Sequence, residues 1–236
     1  MFFDFGGTLF SYRRVGGGTG RLIGDAAARL GVRTDPLQMG MAYRDASREA
    51  YLALQDRPYY LHRDLFADTW RRFALGLGAE PAADWLDWLI DTQRQIVTES
   101  FELRADCVAT LGRLRDAGCH VAVVSNIDDD YLDPMIARAG LGELLHDWTS
   151  SEEASSCKPD PAIYRYACAK AGCGPERVLF VGDSPEQDIA GARAVGMTTA
   201  LLREPGAAAP GSGVGEAARP HHEIAELAEV LPLALE

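Results

Sequence analysis

Four short stretches carry side chains whose chemistry fits together. Asp4 follows Phe2-Phe3 and precedes Phe5-Gly6-Gly7-Thr8, so a carboxylate stands where an apolar run breaks into a glycine turn. Ser125-Asn126 follows the apolar run Val121–Val124, Lys158 precedes Pro159, and Asp183 follows Val178–Gly182, with Asp188 a little further on. Each apolar run reads as a buried strand, which puts these polar groups at strand ends or just past them. Neighbouring parallel strands lie about 4.8 Å apart, so groups distant in sequence can converge on one crevice at that sheet edge. Asp4 can then serve as a carboxylate nucleophile. Ser125 and neighbouring amides can donate to a phosphoryl oxygen, and Lys158 can neutralise a dianion. Asp183 with Asp188 can help hold a hard divalent cation; Mg²⁺ favours a few carboxylates together with water and phosphate oxygen. Alone, Asp4 beside a glycine turn reads equally well as a buried or capping aspartate. The other three stretches supply the chemical reading.

The elements that must position these groups follow from periodicity. Residues 21 to about 100 are helical by pattern: Ile23, Ala27 and Leu30 share one face, Asp35-Pro36 opens a helix to about Gln55, and further helices run from Asp64 to Leu77 and from Pro81 to about Ser100. The run Val15-Gly16-Gly17-Gly18-Thr19-Gly20 lacks a following Gly-Lys-Ser/Thr, so a flexible hinge is expected there rather than a phosphate loop. After residue 100 the pattern alternates. Helices are expected at Asp106–Ala117, Asp130–Ala139, from Pro161 to about Ala171, and Pro185–Val195. Strands are expected at His120–Val124, His146–Ser150, Val178–Val181 and Thr198–Leu202. This βα order indicates an α/β fold with a Rossmann-like, doubly wound parallel sheet. Glu204–Pro220 reads as a loop and Glu223–Leu231 as a closing helix. Only three residues precede Asp4, a short lead for a central strand, consistent with a short strand or a start further upstream.

The chain has 236 residues, 35 acidic against 23 basic, for a net charge of −12. That balance argues against a nucleic-acid partner, which usually meets a basic stripe. Lys158 and Lys170 are the only lysines. Cys107, Cys119, Cys157, Cys168 and Cys173 show no CxxC spacing, so free thiols in a reducing cytoplasm are expected. No apolar run approaches the roughly 18 residues of a membrane span. Trp85 and Trp88 share a helical face and read as core or interface, and His221-His222 reads as surface.

Asp4-Phe-Gly-Gly-Thr-Leu, Ser125-Asn126, Lys158-Pro159 and the stretch Gly182-Asp183-Ser-Pro-Glu-Gln-Asp188-Ile-Ala-Gly-Ala resemble, in order, the four motifs of the haloacid dehalogenase-like (HAD) hydrolase superfamily. The helical stretch between the first two is similar to that family's C1-type cap. The resemblance implies an α/β core over 1–12 and 101–236, and an all-helical cap over 13–100. It also implies a phosphoaspartyl mechanism on a small phosphorylated metabolite. Asp4 would attack phosphorus, while Thr8, Ser125, Asn126 and Lys158 would hold the phosphoryl oxygens. Mg²⁺ would sit on Asp4, the backbone carbonyl of Gly6 and Asp183, with Asp188 orienting Lys158 or the cation's waters. The cap would choose the substrate, and its densest polar-aromatic cluster is Arg57, Tyr59, Tyr60, His62 and Arg63.

One position departs from the family pattern. Phosphatases of the family carry a second Asp two residues after the nucleophile as general acid and base, and here Gly6 stands there. Such a group contributes about 10²–10⁴-fold in rate. A residual phosphohydrolase is expected, with poor leaving groups suffering most. The alternatives are a disarmed fold that binds a phosphorylated ligand, and a dehalogenase, in which halide leaves unprotonated. A phosphonatase-like route would need a cap lysine, and residues 13–100 contain none.

Overall fold

The computed structural model describes residues 1–11, 13–203 and 216–235, and the chain divides into two compact units: Tyr12–Phe101, and Met1–Ser11 with Glu102–Glu236. The first unit is all-helical: α1 (Arg13–Arg29), α2 (Pro36–Leu52), α3 (His62–Gly76) and α4 (Ala83–Glu99). Asp35 caps α2 by accepting from the Leu37 amide at 2.7 Å, and Pro36 occupies the first turn, where its missing N–H costs nothing. Leu22, Ala26, Trp70, Phe73, Trp85 and Leu89 form the core of this unit. The polar edges of its two buried tryptophans are satisfied: Trp70 Nε1 donates to Gln93 Oε1 at 2.5 Å, and Trp85 Nε1 to the Ala26 carbonyl at 3.2 Å. Trp88 is covered by the Arg29 guanidinium, 3.7 Å from the ring centre.

The glycine run does not form the expected hinge. Gly16–Gly20 lies inside α1. A Cβ on Gly18 would fall 2.6 Å from Ile96 Cγ2, so the bare backbone lets α1 approach α4. Tertiary packing thus overrides the poor helix propensity of glycine.

The second unit holds β1 (Phe2–Phe3), β2 (Phe10–Ser11), β3 (Glu102–Leu103), α5 (Cys107–Asp116), β4 (Ala122–Ser125), α6 (Asp129–Ala139), β5 (Asp147–Ser150), α7 (Pro161–Ala171), β6 (Leu179–Gly182), α8 (Gly191–Ala194), β7 (Thr198–Leu202), β8 (His222–Ile224) and α9 (Val230–Leu235). Six of these strands make one parallel sheet in the order β5-β4-β1-β6-β7-β8, while β2 and β3 pair antiparallel. Alternation along β1 and β6 sends Phe2 and Phe180 to one face, where Ile163, Tyr164 and Ala167 of α7 and Ala192 of α8 pack against them. All five cysteines are free thiols. No helix among the described residues is long and apolar enough to cross a membrane.

Two C-terminal expectations need correction. Pro185–Val195 is not one α-helix: Pro185–Ala190 is a π-helical turn, followed by the short α8. The Ser184 carbonyl accepts from both Asp188 N and Ile189 N, which widens the turn. Nor is Glu223–Leu231 a single helix. His222–Ile224 adds a parallel edge strand to β7, a 3₁₀ turn at Leu227–Glu229 follows, and α9 starts at Val230. With Glu223 exposed and Ile224 buried, three residues are too few to register a strand period in sequence. Of the expected loop Glu204–Pro220, residues 204–215 lie outside the described residues, and Glu216–Ala218 forms a 3₁₀ turn.

The packing role of Gly18 separates two alanine substitutions. A Cβ on Gly17 meets nothing within 4 Å. Gly17→Ala is therefore expected to raise the thermal midpoint, gaining about 0.5–1 kcal/mol of helix propensity. Gly18→Ala is expected to lower it, by overpacking worth about 1–3 kcal/mol. Thermal melts of the full-length variants distinguish this account from a hinge, for which both substitutions would act alike.

Candidate active site

The catalytic candidates sit at the carboxyl edge of the three central strands. Register pairs Phe3 with Val123 and with Val181, so Asp4 lies level with Val124 and Gly182, and Ser125 with Asp183 one step beyond. The Asp4 amide continues the ladder to the Val181 carbonyl at 2.8 Å. Alternation places Asp4 on the same sheet face as Phe2 and Phe180, the face covered by α7. Lys158 stands just before that helix, which is capped by Asp160, and its Nζ lies 5.5 Å from the Phe180 ring centre.

Lys158 Nζ donates to Asp4 Oδ1 and to Asp188 Oδ1, each at 2.6 Å. All three residues are buried, at 3%, 6% and 1% exposure. The other oxygens are used too: Thr8 Oγ1 donates to Asp4 Oδ2 at 3.2 Å, and the Ser184 amide to Asp188 Oδ2 at 2.9 Å. The π-helical turn that carries Asp188 is pinned by Tyr164, whose hydroxyl donates to the Gln187 carbonyl. Two glycines make room for the carboxylates. A Cβ on Gly182 would overlap the Asp188 side chain, and one on Gly7 would overlap the Asp183 carboxylate. Gly7 also has φ +83°, a conformation side-chain-bearing residues rarely adopt.

Charge is unbalanced in this crevice. Burial pushes the Asp4 carboxyl up to about 7; Lys158 opposes that rise, while Asp188 and Asp183 add to it. Burial, with Asp188, likewise raises Asp183 to about 6, against the opposing charges of Lys158 and Arg104. Burial works against the charged form of Lys158, but Asp188 and Asp4 outweigh it and hold the ammonium above its ordinary range. Carboxylate oxygens of Asp4, Asp183 and Asp188 all lie within 4.8 Å of one another. Three carboxylates facing one ammonium fit a hard divalent cation of the Mg²⁺ type. Both oxygens of Asp4 and both of Asp188 already accept hydrogen bonds, and Asp183 is the exposed member of the three.

Asp4, Thr8, Lys158, Asp183 and Asp188 are thus brought together, and Ser125 ends β4 at the same edge. Asn126 has a task beyond the expected one of phosphate donor. Its Nδ2 donates to the Lys158 carbonyl at 2.8 Å, and its Oδ1 accepts from the Lys158 amide at 2.6 Å, so the side chain fixes the lysine's main chain. The cap candidates belong to the helical unit. Arg57 is exposed, Tyr59, Tyr60 and Arg63 are half-buried, and the buried His62 packs at a tilt against Tyr60, ring centres 5.0 Å apart. Sequence reasoning missed Arg104. Its Nη2 donates to the Gly7 carbonyl at 2.6 Å and its Nε to the Thr8 carbonyl at 2.9 Å. No spacing rule links Arg104 to Asp4; only the pairing of β3 with β2 does.

Residues 1–196 match the model of the haloacid dehalogenase-like hydrolase family, and the chain belongs to that family. Among its relatives, (S)-2-haloacid dehalogenase 4A of Burkholderia cepacia is 33% identical over 128 residues, covering 54% of this chain and 53% of that protein. Phosphoglycolate phosphatase of Haemophilus influenzae strain 86-028NP is 33% identical over 131 residues, 47% of this chain and 58% of that protein. The matches thus span little more than half the length of these relatives. In fold, the chain is similar to the putative HAD-hydrolase YfnB of Bacillus subtilis, with a TM-score of 0.76 and 16% identity over 99% of this chain and 96% of the other.

The raised carboxyls set a pH dependence. Asp4 at about 7 and Asp183 at about 6 both stand above the ordinary 3.8 of an unfolded chain. Without a cation, their contribution favours the folded state below about pH 4 and is lost as pH climbs through 6 and 7. A bound cation holds both carboxyls ionised. Mg²⁺ is therefore expected to raise the thermal midpoint more at pH 8 than at pH 5, as read by scanning fluorimetry. An equal rise at both pH values would contradict this assignment.

Proposed function

We propose that the chain hydrolyses a small phosphate ester through an Asp4 phosphoenzyme, with Mg²⁺ as cofactor. The observation that carries this reading is Asp4 held by Lys158 beside Asp183 and Asp188, a nucleophile and a cation-binding set in one buried crevice. An Asp4 oxygen attacks phosphorus, the bond to the ester oxygen breaks, and the alcohol leaves as its oxyanion. Water then attacks the phosphorus; the bond to Asp4 breaks, the carboxylate is restored, and inorganic phosphate departs. Lys158, with an N–H beyond the two given to carboxylates, and Ser125 meet charge on the phosphoryl oxygens. Thr8 orients Asp4 through its hydroxyl. When bound, Mg²⁺ on Asp4 and Asp183, with the Gly6 carbonyl, would neutralise part of the phosphoryl charge. Arg57, Tyr59, Tyr60, His62 and Arg63 are the proposed substrate-selecting residues.

Gly6 supplies no proton to the departing oxygen and removes none from water. A missing acid/base group costs about 10²–10⁴-fold, or about 3–5 kcal/mol of barrier. The proposed substrates are therefore phosphates with acidic leaving groups, such as aryl or acyl phosphates. Haloacid hydrolysis is the second reading, favoured by Gly6 itself, because halide needs no proton to leave. The carboxylate cluster weighs against it, since a haloacid anion would meet Asp183 and Asp188 without gaining a phosphoryl group to bridge a cation.

Steady-state hydrolysis of p-nitrophenyl phosphate tests the proposal. Wild type is expected to turn over only with Mg²⁺, and Asp4→Asn to be inactive. The left-handed φ at this glycine pair falls on Gly7, so the backbone at Gly6 can accept a side chain. Gly6→Asp is then expected to gain about 10²-fold or more on substrates with poor leaving groups. Turnover in Gly6→Asp alone would make the natural chain a binding protein. Release of halide from 2-haloacids with no phosphatase activity in any variant would favour the second reading.

A further inference from the structure

We infer that Arg104 is a positioning residue for the Asp4 centre: its guanidinium holds the loop from Phe5 to Leu9 in the one conformation that aims Thr8 at Asp4. This inference rests on the reading of Asp4 as the reacting carboxylate. Burial of Phe5, Thr8 and Leu9 anchors the two ends of the loop, but not the glycine pair between them. Gly6 and Gly7 lose more conformational freedom on folding than any other residue type, and neither carries a side chain to pack. Its internal main-chain ties are Gly7 N to the Phe10 carbonyl at 3.0 Å, and Leu9 N and Phe10 N to the Phe5 carbonyl at 2.9 and 3.3 Å. Arg104 adds a tie at each of three successive carbonyls. Its side chain takes those of Gly7 and Thr8 at 2.6 and 2.9 Å, and its own amide takes that of Leu9 at 2.9 Å.

These ties decide where Thr8 points. The Thr8 hydroxyl reaches Asp4 Oδ2 at 3.2 Å, toward the long end of such bonds, so a small swing of the Thr8 main chain would break it. Arg104 grips that main chain at the carbonyls on both sides of the Thr8 Cα. Its position is set by the strand pair. Phe10 faces Leu103 and Ser11 faces Glu102, which brings Arg104 opposite Leu9. A planar fork can hold two adjacent carbonyls at fixed angles, whereas a lysine ammonium offers only a point charge. Arg104 thus does from outside the loop what glycine cannot do within it.

The test is hydrogen exchange, read alongside p-nitrophenyl phosphate kinetics with Mg²⁺, on full-length wild type, Arg104→Gln, Arg104→Lys and, as a control, the exposed Arg113→Gln. In Arg104→Gln, exchange at the Gly7, Leu9 and Phe10 amides is expected to rise by about tenfold or more. The Ala200 and Leu201 amides of β7 should stay unchanged. Loss of nucleophile alignment should lower kcat by about 10²-fold, with KM little altered. Arg104→Lys should be intermediate in both readouts, and Arg113→Gln should match wild type. Unchanged loop exchange in Arg104→Gln would overturn the inference. So would an equal rise in β7, which would make Arg104 a general stabiliser. If wild type shows no turnover at all, the phosphatase reading fails, while the exchange comparison still decides the role of Arg104.

Discussion

The bridge from Lys158 to Asp4 and Asp188 is the interaction on which the rest of the site depends. Breaking such a pair by removing one partner typically costs about 3–5 kcal/mol, because a charge is stranded out of water. Its surroundings show how the burial is sustained. Gly182 has no Cβ, which admits Asp188. Ser184 and the π-helical turn present the Asp188 carboxylate, with Tyr164 bracing the turn from α7. Asn126 clamps the Lys158 main chain from the end of β4, so that the long side chain starts from a fixed point. Four segments of the chain therefore converge on one ammonium group.

That bridge leaves the charge account open. Lys158 answers two carboxylates, but Asp183 brings a third against the same crevice, where the missing Cβ of Gly7 lets it approach. Lys158 and Arg104 offset this negative charge only in part, and burial still raises the Asp4 and Asp183 carboxyls. A divalent cation and a phosphoryl dianion together would complete the balance: one answers the carboxylates, the other answers Lys158 and the cation. Gly6 changes the kinetics of this chemistry rather than its electrostatics. The cluster proposed to hold phosphate is intact, and what the proposed reaction lacks is a group to move a proton.

Much of this was legible in the sequence, because strand ends in a parallel sheet must carry the ligand-binding groups. Asp4 and Asp183 are readable from apolar runs followed by polar residues at a turn, and Lys158 and Asp188 from the motifs that flank them. What was not legible depended on contacts between distant segments. The glycine run at 16–20 looked like a hinge because sequence carries no sign of Ile96 lying against Gly18. The strand at His222–Ile224 is too short to show a period and exists because β7 offers an open edge. Asn126 reads as a phosphate donor by its position, and its second task, clamping the Lys158 main chain with one N–H and its carbonyl oxygen, gives no sign in sequence. Arg104 gave no signal, since its partners are main-chain carbonyls, which any sequence supplies. The wide turn around Asp188 was hidden for a related reason: it depends on how Ser184 shares one carbonyl between two amides.

The central claim is that Asp4 becomes covalently phosphorylated, and intact-protein mass spectrometry of an acid-quenched reaction tests it most directly. With p-nitrophenyl phosphate and Mg²⁺, the account predicts an added phosphoryl mass on wild type, mapped to the peptide that contains Asp4 and absent in Asp4→Asn. Because Gly6 offers no base to activate water, the adduct should accumulate in wild type and be depleted in Gly6→Asp. Metal-dependent turnover with no phosphorylated Asp4 at any quench time in wild type would contradict the account.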